Sequence, residues 1–144
     1  MKILVLNGPN MNLLGLREPE IYGRETYEDL VSLAEQTCRE AGVECICVQS
    51  NHEGVLIDEI QKARDGCGGI VINPAGYSHT SIAIADALRA VDLPAVEVHI
   101  SDPEKREPYR HISYTGMACR KVIKGKGLAG YRAAILYLKE LAEK

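Results

Sequence analysis

Short apolar runs alternate along this chain with stretches of helical spacing. Lys2 to Leu6 reads as a first strand, after which Tyr27, Leu30, Val31, Ala34, Cys38 and Ala41 recur at the spacing of one helix face. Thr26 stands where an N-cap belongs and Gly42 where the helix should stop. Val43 to Val48 is a second strand. Leu56, Ile57, Ile60 and Ala63 mark a second helix ending near Gly66, and Gly69 to Ile72 a third strand. Ala83, Ile84, Ala87, Leu88 and Val91 lie on the next helix, and Ala95 to Ile100 is a fourth strand. Asp102-Pro103 reads as a cap followed by proline at the first helical position. Arg120 to Ile123 reads as a fifth strand, and Tyr131 to Leu141 as a strongly amphipathic last helix. Strands alternating with helices in this way predict a parallel sheet covered on both faces. There is no internal repeat, linker or low-complexity stretch, so residues 1–144 are expected to form one α/β domain.

Composition narrows the picture. At 46% hydrophobic and 26% charged residues the chain has ordinary globular values, which argues against disorder, collagen and coiled coil. Phe and Trp are absent, so the core must be aliphatic with Tyr as its only aromatic ring. The net charge of −3, with no extended Lys/Arg cluster, leaves no electrostatic footprint for nucleic acid or an anionic membrane. The apolar run Ile3 to Leu6 ends at Asn7-Gly8-Pro9, too short for a signal peptide or a membrane span. Cys38, Cys45, Cys47, Cys67 and Cys119 are odd in number and contain no CxxC pair, which fits reduced thiols in a cytoplasmic protein.

In an open parallel sheet, ligands bind beyond the carboxyl ends of the strands, where strand order reverses. The residues following each strand are therefore the place to look. Asn7-Gly8-Pro9-Asn10 follows the first, and the connection to about Glu25 is long enough to be a functional loop or lid; it carries Arg17-Glu18-Pro19 and Ile21-Tyr22-Gly23. Asn73-Pro74-Ala75-Gly76-Tyr77-Ser78-His79-Thr80-Ser81 follows the third strand, and His99-Ile100-Ser101-Asp102 closes the fourth.

Glu97 and His99 are two apart on a strand and share a face. A carboxylate beside an imidazole fixes the tautomer and favours the protonated form, which suits an acid catalyst. A guanidinium about 4 Å from a phenol, at an effective dielectric near 20, favours phenolate by about 4 kcal/mol and would bring it from about 10 toward 7. Arg17 beside Tyr22 would in this way make a general base. Asn10, Asn73 and Ser101 are either turn residues or ligand contacts. Asp86, seven residues beyond His79, would face the same way on a helix. Arg106 and Arg110, at helical i,i+4 spacing, would present paired cations to a carboxylate or hydroxyl-rich ligand.

Other chemistries fit less well. Gly125-Lys126-Gly127-Leu128-Ala129-Gly130 matches GxGxxG, but too little chain follows for a dinucleotide fold; tight strand-to-helix packing explains these glycines better. His79, Glu97 and His99 lack a supporting metal-ligand spacing, so no metal is expected. There is no GxSxG elbow and no glycine-rich phosphate cradle.

Taken in order, Asn7-Gly8-Pro9-Asn10, Arg17-Glu18-Pro19 with Tyr22-Gly23, Asn73-Pro74-Ala75-Gly76 with His79-Thr80-Ser81, Glu97-Val98-His99-Ile100-Ser101, Arg106-Glu107 with Arg110, Ser113-Tyr114, and Gly127 with Gly130-Tyr131 resemble the type II 3-dehydroquinate dehydratases through almost the whole chain. The resemblance implies a flavodoxin-like three-layer sandwich with a five-stranded parallel sheet of order 2-1-3-4-5. It implies cofactor-free dehydration of 3-dehydroquinate to 3-dehydroshikimate. Tyr22 would be the base, Arg17 would stabilise phenolate and the enolate-like transition state, and Asn10 would hold a water near the oxyanion. His99 would be the acid, oriented by Glu97. Asn73, Ile100 and Ser101 would hold the substrate carboxylate, and His79, Asp86 and Arg110 its hydroxyls. The resemblance also implies trimers, commonly four in a dodecamer, with Asp86 reaching a neighbour's site. The chain departs from the family's usual residues at Ala85, Asp102, Glu104, Lys105 and Ile112, none of them a candidate catalytic group. An idle acid-binding module on the same fold is the alternative, but it would not need an acid/base set.

Overall fold

The structure is a computed structural model that describes residues 1–16 and 18–144, with the backbone alone at Tyr22. Five parallel strands, β1 (Lys2–Asn7), β2 (Glu44–Gln49), β3 (Gly69–Asn73), β4 (Ala95–His99) and β5 (Lys121–Lys124), form one sheet in the order β2-β1-β3-β4-β5. Helices α1 (Pro19–Tyr22), α2 (Tyr27–Ala41), α3 (Glu53–Ala63), α4 (Ile82–Val91) and α5 (Ala129–Ala142) connect or follow the strands. Alternation along the strands divides the core in two. Ile3, Val5, Val71, Val96 and Val98 pack with α2 and α5 on one face, while Leu4, Leu6, Ile70 and Ile72 pack with α3 and α4 on the other. This is the three-layer sandwich and strand order that the sequence led us to expect. β1, β3 and β4 are central, which explains why β1 and β3 read as continuous apolar runs; β4 is interrupted by Glu97 and His99, both buried. β5 lies at an edge and buries only Ile123.

Local chemistry sets the element ends. Thr26 and Asp29 close a reciprocal capping box at the start of α2, each side chain accepting from the other's amide. Gly42 ends that helix with φ 73°, a left-handed geometry favoured by glycine. The GxGxxG run has a structural role, as expected. Gly125 and Gly127 adopt φ 75° and 58°, and their amides donate to the carbonyls of His99, Ser101 and Ile100. An added Cβ at Gly130 would lie 3.1 Å from Val98 Cγ1, so α5 can approach β4 closely only without one.

The structure corrects three expectations. The segment from Asp102 is not a helix: it makes two separate 3-10 turns, Pro103–Lys105 and Pro108–Arg110, so Arg106 and Arg110 do not share a helical turn. Asp102 does cap the first of these, accepting from the Glu104 amide at 3.0 Å, but Pro108 lacks the amide that a helix continuing from Pro103 would need there, so the chain starts a second turn. The connection after β1, which shows no clear structure in the sequence, contains a 3-10 turn at Met11–Leu13 and helix α1. Asp86 does not share His79's direction. His79 ends a 3-10 turn (Ala75–His79) before α4 starts, so helical spacing does not relate the two. Among the described residues, no helix is long and apolar enough to cross a membrane.

Gly8 brings the exits of β1 and β3 together. Its amide donates to the Asn73 carbonyl at 2.8 Å, and an added Cβ would lie 2.5 Å from the Pro74 carbonyl oxygen. Gly8→Ala should therefore force the two turns apart at a cost of about 1–3 kcal/mol. A lowered Tm in thermal unfolding is the expected result, and an unchanged Tm would contradict this packing.

Candidate active site

The carboxyl ends of β1, β3 and β4 converge on a cavity of about 230 Å³. Asn10 enters it from the turn after β1, and Asn73 and His79 from β3 and the turn that follows. His99, Ile100 and Ser101 arrive from the end of β4, and Arg106 and Arg110 close one side from the 3-10 turns. Met11, Leu14 and Pro103 add apolar wall. Eight of the candidate residues thus meet in one place. Arg17 and the Tyr22 side chain lie outside the described residues; the Tyr22 backbone ends α1. Asp86 does not line this cavity. It is exposed on α4, 3.8 Å from Arg89.

Backbone strain collects at the rim. Asn10 and Ala75 both have positive φ, 69° and 51°, and each is held by an asparagine side chain. The Asn10 amide donates to Asn51 Oδ1 at 3.0 Å, and the Ala75 amide to Asn73 Oδ1 at 3.0 Å. Beneath them, register pairs Asn7 with Asn73 at the ends of β1 and β3. The fully buried Tyr131 hydroxyl spans the two, donating to Asn7 Oδ1 at 2.6 Å and accepting from Asn73 Nδ2 at 3.1 Å. Burial pushes this phenol well above its ordinary range, so it stays a protonated linker rather than a base.

On β4, Glu97 is completely buried and sits behind His99, with Oε2 2.7 Å from the ring Nε2. The Ser113 hydroxyl donates to the same oxygen at 2.5 Å, and the Thr115 hydroxyl donates to Oε1. His99 itself reaches the cavity. At the cationic wall, Arg110 Nε donates to Glu107 Oε2 at 2.9 Å, and the Tyr109 hydroxyl donates to the same oxygen. Together the Tyr109 hydroxyl and Arg110 hold the Glu107 carboxyl down at about 2. His79 stacks obliquely on Tyr109, with ring centres 6.0 Å apart. Burial, and then the charge of Arg110, hold the His79 imidazole below its ordinary value, so it meets the cavity neutral at pH 7.

The sequence reading gave no chemical role to Ser113, Thr115, Glu107 or Tyr131. Ser113, Thr115 and Glu107 sit in irregular backbone, where no periodicity marks a partner, and Tyr131 occupied an ordinary core position on an amphipathic helix. Ser113, Glu107 and Tyr131 were visible only as parts of quoted motifs. Among the described residues, no three His, Cys, Asp or Glu side chains are grouped to hold a metal ion. All five cysteines are free thiols, with Cys45 and Cys47 Sγ 3.6 Å apart on one strand face.

Comparison with known proteins places this arrangement. The sequence model described as Dehydroquinase class II matches residues 1–139. The chain belongs to the class II dehydroquinase family. The 3-dehydroquinate dehydratase of Corynebacterium glutamicum strain R is 54% identical over 140 residues, 97% of each chain. The 3-dehydroquinate dehydratase 2 of Pseudomonas putida is 52% identical over 141 residues, covering 98% of this chain and 95% of that one. The crystal structure of the type II dehydroquinase from Butyrivibrio crossotus superposes with a TM-score of 0.94 at 53% identity, covering 96% of this chain and 97% of that chain. The chain is thus similar to these class II dehydroquinases over nearly its whole length, and the cavity lies within the matched region.

The environment of His79 predicts a pH response. Its folded value lies below the unfolded one, so its contribution to stability is present above about pH 6.5 and is lost as pH falls through the folded value. Arg110→Gln removes a positive charge that opposes imidazolium. The His79 midpoint, followed by pH-dependent C2–H deuterium exchange and mass spectrometry, should rise toward 6.5. A midpoint that stays put or falls would contradict the assigned contact.

Proposed function

We propose that this chain removes water from 3-dehydroquinate to give 3-dehydroshikimate, as a hydro-lyase of the shikimate pathway leading through chorismate to the aromatic amino acids. The observation that carries the reading is the buried Glu97–His99 pair facing a cavity that also holds two arginines, in a chain of the class II dehydroquinase family. The cavity suits one small anionic, polyhydroxylated molecule. Arg106 and Arg110 supply positive charge, and neutral His79, Asn10, Asn73 and Ser101 supply hydrogen-bonding groups.

Elimination beside a ketone calls for a base, an oxyanion stabiliser and an acid. In this reading Tyr22, as phenolate favoured by Arg17, takes the proton next to the carbonyl. The electron pair moves onto the ketone oxygen, and a water held by Asn10 stabilises the enolate-like species. As the carbonyl re-forms, the carbon–oxygen bond to the leaving hydroxyl breaks, and His99 donates the proton that makes it water. Asn73 and the Ile100–Ser101 turn hold the carboxylate. His79 and Arg110 hold the hydroxyls, joined by Asp86 from a neighbouring subunit in a trimer, four trimers making a dodecamer. The exposed position of Asp86 suits that use better than a role in its own chain's cavity. The reading assigns no cofactor, one catalytic domain over residues 1–144, a cytoplasmic location, and no nucleic-acid or membrane partner.

The test is the growth of ultraviolet absorbance from a conjugated enone carboxylate when the protein meets 3-dehydroquinate with chelator present. A saturating rise is expected. Tyr22→Phe and His99→Ala should each lower kcat by about 10²–10⁴-fold, the usual worth of a general base or acid. A folded protein that produces no rise would overturn the reading, and an unchanged rate in Tyr22→Phe would remove that residue as the base.

A further inference from the structure

The segment Ser113–Gly116 wraps the buried carboxylate that stands behind His99. Ser113 Oγ accepts from the Gly116 amide at 2.9 Å, which leaves its own proton for Glu97 Oε2. Thr115, fully buried, commits its hydroxyl to Oε1. Gly116 completes the cradle, because a Cβ there would lie 3.1 Å from Glu97 Oε2 and 3.0 Å from Ser113 Oγ. The Tyr114 amide donates to the Ser78 carbonyl at 2.8 Å, anchoring the segment to the turn that carries His79. None of Ser113, Tyr114, Thr115 and Gly116 lines the cavity.

We propose that Ser113 and Thr115 are positioning residues, which hold Glu97 as a carboxylate in one orientation and so determine that His99 meets substrate through Nδ1. The protons around the Glu97 carboxyl decide this. Glu97 receives the Ser113 hydroxyl, the Thr115 hydroxyl and His99 Nε2; a protonated carboxyl would set its own hydrogen against one of these donors. With Nε2–H committed to Glu97, Nδ1 is the ring nitrogen left for the cavity, and in the charged ring it is the proton donor. Either hydroxyl alone would leave the carboxylate free to turn about its last bond, with Nε2 following it. Two hydroxyls, one on each oxygen, fix the plane.

The inference rests on the proposed acid role of His99, and its test separates the two. Thr115→Val keeps the shape and removes the hydroxyl; Ser113→Ala removes the other; Thr115→Ser restores the first. With 3-dehydroquinate, Thr115→Val and Ser113→Ala should lower kcat about 10- to 100-fold, the range typical of groups that orient a functional histidine, with KM little changed. Thr115→Ser should recover most of the rate. A purely structural role would lower Tm without this split or rescue. Unchanged kcat in both variants, or a Thr115→Ser variant as slow as Thr115→Val, would overturn the proposal. If Thr115→Val fails to fold, Ser113→Ala decides. If the wild-type protein shows no dehydration, the reading of function fails while the clamp is still judged by crystal structures of the variants. Glu97 should then leave hydrogen-bond distance of Nε2, and a contact unchanged at 2.7 Å would refute the clamp.

Discussion

A carboxylate with no exposure to water, Glu97, is the constraint around which this active site is arranged. Taking such a charge out of solvent costs several kcal/mol, and only charge-assisted hydrogen bonds of good geometry offset that. Two hydroxyls from one loop and an imidazole from the same strand supply them. Because His99 is one of these partners, stabilising the buried charge and orienting the imidazole are one interaction. Removing any partner would leave part of a buried charge uncompensated, which ties the loop carrying Ser113 and Thr115 to β4.

The rest of the site depends on the parallel sheet delivering its strand ends together. Asn7 and Asn73 are register partners, and Tyr131 joins them from the helix beneath. That link sets Asn73, whose other end holds Ala75 in left-handed geometry and so directs the chain toward His79. The glycines after β5 serve the neighbouring turn: Gly125 and Gly127 bind the carbonyls of His99, Ile100 and Ser101. Two of the four described non-glycine residues with positive φ, Asn10 and Ala75, thus lie where the chain bends around the cavity, and two buried cores on either side of the sheet hold it in place.

Much of this was legible in the sequence, and the physical reasons differ by element. β1 and β3 were clear because burial on both faces makes them unbroken apolar runs. α2 was clear because its face, cap and terminal glycine agree. The segment from Asp102 was misread because Asp-Pro signals a helix start without saying that Pro108 would interrupt the next turn. Asp86 was aligned with His79 by a helical spacing that spans two elements. Glu97 and His99 could be paired because strand alternation puts them on one face. Ser113 and Thr115 could not be joined to them, since the contact spans irregular backbone and depends on how the loop folds back onto β4.

In the proposed clamp Glu97 is an ionised acceptor of three hydrogen bonds, and the proton shared with His99 resides on Nε2. Neutron diffraction from deuterated crystals of the resting protein measures this directly. Deuterium is expected on His99 Nε2 and on both the Ser113 and Thr115 hydroxyls, each directed at Glu97, with none on the carboxyl oxygens. Deuterium on Glu97, or a bare Nε2 facing it, would rule out the clamp.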